Sequence, residues 1–464
     1  MTKITNLFEN IKKVHLIGIG GIGMSGIAEY LVRKNYIVSG SDMTLSPITK
    51  RLENRGVTIY SGHEEKNLPD DTELVIYTSA VKEDNEEYKK AVRLKIKTVK
   101  RAEALGHIVN NKFVIAVSGT HGKTTTSAMI AKVLIDIKFD PTVFIGGNLD
   151  FLDGGSSRIG KGEIAVVEAD EYDRSFYQLR PDIAVITNIE ADHLDIYKDL
   201  DDIKNSFREF LKNGKKGMKI IACGDDNNIT VIMKEFERES FYGFSNSNDH
   251  IVKNVSYEKD HTEYSIDGEQ IRLRIAGNHN ILNSAAAYLA AREVKISNEL
   301  FNESIKTFYG VKRRLELKLY NGIKVYDDYA HHPTEVEATL EGIKKLHRGR
   351  VITVFQPHLF SRTRDFYNEF GKSFSETDIL FLLKIYPARE KALEGITSEL
   401  ILNEYLKSGK KGYYIENKDE IINELENIMT DGDLIIFMGA GDITGLCDQF
   451  VKKVKSKING KVPL

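Results

Sequence analysis

Short apolar runs that recur on either side of glycine-rich turns set the rhythm of this chain. Residues 14–17 read as a buried strand, 18–23 as a sharp turn, 24–34 as a helix and 36–40 as a second strand, which together predict a βαβ unit. A further buried-strand run at 74–78 and a charged helical stretch at 85–94 complete a small α/β domain expected to end near residue 108. The pattern restarts at 113–117, followed by a helix over 124–137 in which Ile130, Val133, Leu134 and Ile137 keep the i, i+3, i+4, i+7 spacing. Runs at 164–167 and 183–186 predict parallel strands. The shorter, more alternating runs at 251–257 and 271–275 predict an antiparallel flank between about residues 219 and 275. After Gly310 the alternation begins a third time, with strands at 323–326, 351–355, 379–383 and 434–438. Pro333 fits the first turn of a helix that turns Val336, Leu340 and Ile343 inward. The fold class is therefore α/β, as three domains in series at 1–108, 109–310 and 311–464.

Composition narrows the function classes. The chain has 464 residues, enough for two or three cores. Its 65 Lys plus Arg against 68 Asp plus Glu leave a formal charge of -3, which gives no electrostatic case for a nucleic-acid or acidic-membrane partner. Lys12 and Lys13 ahead of the apolar run 14–28 imitate a signal peptide, but Gly18, Gly20, Gly21, Gly23 and Gly26 suit a strand turning into a helix instead. No other apolar stretch approaches the ~20 residues that span a bilayer, so a cytoplasmic protein without a membrane span is expected. Cys223 and Cys447, far apart in the sequence, read as buried free thiols of a reducing compartment. Nothing in the sequence reports the oligomeric state.

Two glycine loops carry the first chemistry. Gly18-Ile19-Gly20-Gly21-Ile22-Gly23 follows a strand, and Asp42 lies at the end of the next one. In this layout glycines let the backbone approach a diphosphate, the helix N-terminus attracts its charge, and the acid binds a ribose hydroxyl. Alone it predicts NAD; another nucleotide diphosphate, or glycines needed only for turning and packing, are the alternatives. The second loop is Ser118-Gly119-Thr120-His121-Gly122-Lys123-Thr124-Thr125-Thr126, between a strand and a helix. A lysine after glycine supplies a point charge for the β- and γ-phosphates, backbone amides cradle them, and a threonine hydroxyl reaches Mg²⁺, so ATP or GTP is expected. The loop is a shortened one, with Val117 where a full phosphate loop has its first glycine, and Lys123 is expected to be exposed in it.

Glu168 and Asp170 after one strand, and Glu190, Asp192, His193 and Asp195 after another, would lie at the carboxyl edge of the same sheet, where a metal–nucleotide site belongs. A solvated loop is the plainer reading of those carboxylates, and Mg²⁺ prefers oxygen to the imidazole of His193. Asn278-His279-Asn280 with Asn283 opens a helix, and Lys312-Arg313-Arg314 leads into the third domain; by themselves these read as a cap and a solvated face. Asp327-Asp328-Tyr329-Ala330-His331-His332-Pro333 gathers two acids and two imidazoles at a strand end, where lone histidines are more often structural, and Arg362 and Arg364 are placed to hold anionic groups, with a surface role as the plainer alternative.

Together these motifs closely resemble the Mur ligase family, from His15-Leu16-Ile17 with the first glycine loop to Gly439-Ala440-Gly441-Asp442. Gly119-Thr120-His121-Gly122-Lys123-Thr124-Thr125 marks the wider family. The Met24-Ser25-Gly26 continuation of the first loop and the run 328–335 point to the member that adds L-alanine to UDP-N-acetylmuramate in peptidoglycan synthesis. The resemblance implies a Rossmann-like N-terminal domain binding the UDP-sugar through Gly18, Gly20, Gly21, Gly23, Met24, Ser25 and Asp42. It implies a central domain, like a P-loop ATPase with a mostly parallel sheet, that binds MgATP, and a Rossmann-like C-terminal domain that binds the amino acid. Carried over by motif, Gly119, Thr120, His121, Gly122, Lys123, Thr124, Thr125, Asn280, Asn283, Arg314 and Asp328 belong to ATP, and Thr124, Glu168 and His193 to the metal. Lys123, Glu168, His193, Arg314, His332, Arg362 and Arg364 are the expected catalytic set, with His332 as the candidate base for the amine. The acidic run departs from similar ligases at Tyr172, where Ser is frequent. Where several relatives carry a carbamylated lysine bridging two metals, this chain reads Asn205-Ser206-Phe207-Arg208, so none is expected. The rival readings are a salvage ligase joining a whole peptide to the same UDP-sugar, a nicotinamide oxidoreductase that leaves Lys123 unexplained, and a noncatalytic nucleotide switch.

Overall fold

The computed structural model describes residues 7–194, 196–237, 239–258, 261–388 and 390–459, the last three without their side chains. The chain forms two compact units: one holds the chain to Lys253 with Ser265–Ile271 and Leu282–Thr307, the other holds Asn254–Tyr264, Arg272–Ile281 and the chain from Phe308.

The first unit begins with β1 (Lys13–Ile17), α1 (Ile22–Arg33), β2 (Ile37–Asp42), α2 (Pro47–Glu53), β3 (Thr58–Ser61), β4 (Leu74–Tyr77), α3 (Glu86–Arg93), β5 (Lys97–Lys100) and α4 (Arg101–Val109). The strands form an all-parallel sheet in the order β3-β2-β1-β4-β5, the doubly wound arrangement in which ligands sit at the strands' carboxyl ends where the order reverses beside β1. Local chemistry sets the helix starts. Ser46 and Thr49 cap α2 reciprocally with Pro47 at its first position, and Asn85 caps α3 by accepting the Tyr88 N–H at 3.0 Å.

The same unit continues through β6 (Phe113–Ser118), α5 (Lys123–Asp136), β7 (Thr142–Leu149), β8 (Gly155–Arg158), β9 (Ile164–Glu168), β10 (Ile183–Ile186), α6 (Leu200–Lys212), β11 (Lys219–Cys223), α7 (Asn227–Met233), β12 (Glu239–Gly243) and β13 (His250–Ile251). Their sheet runs β13-β12-β11-β10-β6-β9-β7-β8 and is parallel except for β7 with β8. The antiparallel flank expected from residue 219 is thus corrected: β11, β12 and β13 extend the sheet in parallel. The alternating runs at 251–257 and 271–275 that suggested the flank fall instead largely on Lys253–Tyr257 and Glu269–Leu273, strands outside this sheet. Helix α1 packs across this second sheet, where a Cβ at Gly26 would lie 3.0 Å from that of Ser157 on β8. Strands β14 (Lys253–Tyr257), β15 (Thr262–Ile266) and β16 (Glu269–Leu273) make a separate small sheet, followed by α8 (Asn278–Glu293) and α9 (Asn298–Ile305).

The second unit carries β17 (Glu316–Asn321), β18 (Ile323–Asp328), α10 (Pro333–Leu346), β19 (Val351–Phe355), α11 (Phe360–Ser373), β20 (Ile379–Leu383), α12 (Glu399–Leu406), β21 (Lys411–Ile415), α13 (Ile421–Ile428), β22 (Leu434–Met438) and α14 (Ile443–Asn459). Its sheet order is β17-β18-β22-β19-β20-β21, with only β17 antiparallel. Strands β19, β20 and β22 are buried along their whole length because helices cover both faces, which is why they read as unbroken apolar runs. Pro333 opens α10, with Val336, Leu340 and Ile343 in the core as expected. Cys223 and Cys447 are buried free thiols, and burial pushes that of Cys223 up to about 12, far from reactive.

Candidate active site

At the end of β1, Gly18 takes φ +82°, the left-handed value that lets the strand turn at once toward α1. The Ser41 carbonyl on β2 accepts the N–H groups of Gly18 (2.9 Å) and Ile19 (3.0 Å). Asp42 accepts the Gly20 N–H on Oδ2 at 2.8 Å and the Thr44 N–H on Oδ1 at 3.1 Å. Asp42 therefore braces the loop here, a role the ribose expectation did not include. A Cβ at Gly20 would come within 2.9 Å of Asp42 Oδ2, so only glycine allows that bond. Gly21 caps α1 with no side chain, and helix geometry leaves the first-turn amides of Ile22 and Gly23 as donors for an anion. A Cβ at Gly23 would press on Arg101, which opens α4 beside the loop. Met24 and Ser25 are buried, Ser25 Oγ donating to the Ile22 carbonyl at 2.9 Å, and so shape the turn from within.

The second loop joins β6 to α5. Gly119 (φ +139°) and Gly122 (φ +81°) make its turns. The Thr120 N–H reaches the Asn188 carbonyl at 3.0 Å, and the His121 N–H reaches Asn188 Oδ1 at 2.8 Å. Lys123 is not exposed as expected. Its side chain is 12% exposed, and Nζ donates to the carbonyls of Gly119 (2.6 Å) and Thr120 (3.0 Å) and to Glu171 Oε1 (2.8 Å). Burial works against the ammonium, yet Glu171, Asp170 and Glu168 hold it above the usual lysine range. Glu171 is the residue sequence reasoning passed over: it is 3% exposed, and burial raises its carboxyl.

Glu168 ends β9, accepting from Thr124 Oγ1 at 3.1 Å and from the Gly146 N–H at 2.8 Å; burial raises its carboxyl too. A Cβ at Gly146 would lie 2.7 Å from Glu168 Oε1, so that glycine makes the acid's place. His193 sits at φ +54° with Nε2 3.8 Å from Glu171 Oε1 and its ring against Tyr172, centroids 5.1 Å apart. Thr124, Thr125 and Asp192 are buried nearby, Glu190 donates its N–H to Thr120 Oγ1 at 2.9 Å, and Asp195 lies outside the described residues. Asn283 packs against the loop: a Cβ at Gly122 would lie 2.4 Å from its Oδ1, to which Thr126 Oγ1 donates at 3.2 Å. Ser206 is buried in α6 between the hydroxyls of Tyr177 (2.9 Å) and Tyr197 (3.2 Å).

The second unit gathers another group at the end of β18. Asp328 accepts the N–H groups of Leu315 (2.6 Å) and Ala330 (2.7 Å), and burial lifts its pKa to about 6 against the pull of Arg314. Arg314 reaches Glu335 Oε1 at 3.3 Å and lies over the Tyr329 ring at 5.1 Å. His332 is the buried N-cap residue of α10, its ring against Phe366, centroids 5.1 Å apart. Asn280 belongs to this unit, Nδ2 donating to the Ala276 carbonyl at 2.6 Å. The two arginines of α11 part company. Arg362 is buried, with Nη1 3.4 Å from His358 Nδ1, whereas Arg364 is 54% exposed and paired with neighbouring Asp365 at 2.7 Å.

Known proteins match the whole of this framework. Family models match residues 13–113 (Mur ligase family, catalytic domain), 117–291 (Mur ligase middle domain) and 313–441 (Mur ligase, glutamate ligase domain). A UDP-N-acetylmuramate–L-alanine ligase of Clostridium botulinum is 42% identical over 448 residues, 95% of this chain and 97% of that one. The crystal structure of the UDP-N-acetylmuramate-alanine ligase of Thermotoga maritima superposes with TM-score 0.83 at 27% identity, covering 96% of this chain and 99% of that one. A murein peptide ligase of Psychrobacter arcticus superposes with TM-score 0.71 at 25% identity, over 98% of this chain and 100% of that one. With its three parts matched in order and a relative of this identity along nearly its full length, the chain belongs to the Mur ligase family.

Proposed function

We propose that the chain joins L-alanine to the lactyl carboxylate of UDP-N-acetylmuramate at the expense of ATP, giving UDP-N-acetylmuramoyl-L-alanine, ADP and phosphate for peptidoglycan synthesis. The observation that carries the reading is Lys123, set between the carbonyls of its own loop and a buried acid at the start of α5. A carboxylate repels nucleophiles and has no adequate leaving group. The lactyl carboxylate therefore attacks the γ-phosphate of ATP, the bond to ADP breaks, and an acyl phosphate forms. Lys123 exchanges Glu171 for the γ-phosphate and balances charge there, while the loop amides hold the β-phosphate. The neutral amine of L-alanine then attacks the acyl carbon, phosphate leaves, and His332 takes the ammonium proton.

Three acids, Glu168, Asp170 and Glu171, face one lysine, and the Thr124 hydroxyl stands 3.1 Å from Glu168. That surplus of negative charge and oxygen donors suits Mg²⁺, which Thr124, Glu168 and His193 would hold. When bound, Mg²⁺ neutralises phosphate oxygens of ATP. Residues 1–108 serve the UDP-sugar, 109–310 MgATP and 311–464 the amino acid. Arg314, Asp328, Asn280 and Asn283 serve the nucleotide, and buried Arg362 rather than exposed Arg364 takes the alanine carboxylate. No helix among the described residues is long and apolar enough to cross a membrane, and we place the reaction in the bacterial cytoplasm, where a reducing environment suits the two buried thiols.

The test is ADP release with UDP-N-acetylmuramate and each of L-alanine, D-alanine, glycine, L-serine and an L-Ala-γ-D-Glu-containing peptide. L-alanine is expected to give the highest kcat/KM. A preference for the peptide would favour the salvage reaction, and AMP with pyrophosphate as products would reject the acyl phosphate.

A further inference from the structure

Behind the first glycine loop lies a buried carboxylate that the reaction does not use. Glu87, in the first turn of α3, is fully buried together with His15 of β1 and Ser41 of β2. Its Oε2 accepts from His15 Nε2 at 2.6 Å, and its Oε1 accepts from Ser41 Oγ at 2.7 Å and His63 Nδ1 at 2.8 Å. His15 Nδ1 in turn lies 2.8 Å from Ser39 Oγ. Burial alone would raise this carboxyl, but the bonds from His15, His63 and Ser41 hold it below the ordinary glutamate range, so the cluster contains a true carboxylate. An acid in a helix's first turn needs only solvent and the helix dipole, and burying one is expensive unless its bonds are complete.

What those bonds hold is Ser41. Its carbonyl carries the amides of Gly18 and Ile19, and the next residue, Asp42, carries that of Gly20. Three consecutive amides of the loop therefore hang on the Ser41-Asp42 dipeptide, whose hydroxyl end is anchored by Glu87. This leaves the first-turn amides of α1 to meet a diphosphate, at a height set by Ser41.

We propose that Glu87 is a positioning residue for the UDP-sugar: acting through Ser41, it fixes the glycine loop where the amides opening α1 meet the diphosphate. The proposal rests on the reading that this loop holds UDP-N-acetylmuramate. Pulling an amide away from the diphosphate forfeits a hydrogen bond to a charged group, a loss of roughly tenfold or more in affinity.

The experiment compares Glu87→Gln, Ser41→Ala and Gly20→Ala in the full chain, measuring KM for UDP-N-acetylmuramate, ATP and L-alanine separately, kcat, and the melting temperature. Glu87→Gln and Ser41→Ala are expected to raise KM for UDP-N-acetylmuramate at least tenfold, with KM for ATP and kcat within about twofold of wild type. If Gly20→Ala leaves KM for UDP-N-acetylmuramate unchanged, the loop is not the UDP-sugar site and the underlying reading fails. If Gly20→Ala raises it but Glu87→Gln and Ser41→Ala do not, the positioning role is overturned. A loss spread evenly over all substrates with a lowered melting temperature, or failure of both Glu87→Gln and Ser41→Ala to fold, makes Glu87 merely structural and overturns it equally.

Discussion

Replacing Lys123 with alanine tests whether this lysine is a structural as well as a chemical group. For an exposed phosphate-loop lysine, the substitution would abolish turnover and leave the fold untouched. The observed packing says otherwise. Lys123→Ala strips the partner from Glu171, 3% exposed, and removes the donor shared by the carbonyls of Gly119 and Thr120. Breaking a buried pair from one side costs about 3–5 kcal/mol, because a charge is left without compensation. Glu171 has an escape, since burial already raises its carboxyl and it can take up a proton, so the lower end, about 3 kcal/mol, is expected. With an unfolding entropy of ~2.1 cal/mol/K per residue, a unit of this size shifts by roughly 1–2 °C per kcal/mol, so the ligand-free variant should melt about 3–6 °C below wild type.

Adding Glu171→Gln to Lys123→Ala separates the two roles. The double variant should recover more than half of the lost melting temperature, because the uncompensated carboxylate is gone. It should recover none of the activity, where loss of a charge contact to the transferring phosphoryl group costs ~10² or more. Phosphate release and differential scanning fluorimetry on the four proteins of the cycle measure both quantities. The reasoning fails if Lys123→Ala melts with wild type, if Glu171→Gln gives no recovery in its background, or if either lysine variant keeps more than about a tenth of wild-type turnover.

Asp327 is buried, and burial, partly offset by Arg313 and Thr444, raises its pKa to about 6. A carboxyl whose folded-state pKa exceeds its unfolded value of about 3.9 stabilises fully below that value and loses the contribution as pH rises through about 6. Asp327→Asn should therefore make the melting-temperature profile shallower between about pH 4 and 6, with Asp328, raised likewise, keeping the rest of the slope, and an unchanged slope would show that Asp327 does not titrate there. Gly146→Ala, which displaces Glu168 through a Cβ 2.7 Å from Oε1, should raise the Mg²⁺ concentration for half-maximal rate about tenfold while Mg²⁺-free melting moves little; an unchanged requirement would remove Glu168 from the metal site. Arg362→Ala should raise KM for L-alanine by about 10²-fold and Arg364→Ala by less than threefold, since only the former is buried; equal effects would reject the assignment.

How much of this was legible in the sequence follows from where each residue's environment is decided. Strands β10, β19, β20 and β22 are buried on both faces, so apolar runs reported them directly; the alternating runs at 251–257 and 271–275 fell largely on β14 and β16 of the small separate sheet, and alternation does not say which way a neighbour runs. Both glycine loops were visible because a strand, a turn and a helix start within a dozen residues. The burial of Lys123 was not, since it depends on Glu171, 48 positions away, folding back over the loop. Glu87 was better hidden still. A glutamate beside another glutamate in a helix's first turn is what a solvated N-terminus looks like, and only the arrival of His15, Ser41 and His63 from 72, 46 and 24 positions away turns it inward. The groups that touch a phosphate can thus be read from local motifs. The acids that hold those motifs in place come from distant positions, and mutations that discriminate between substrates are best sought among them.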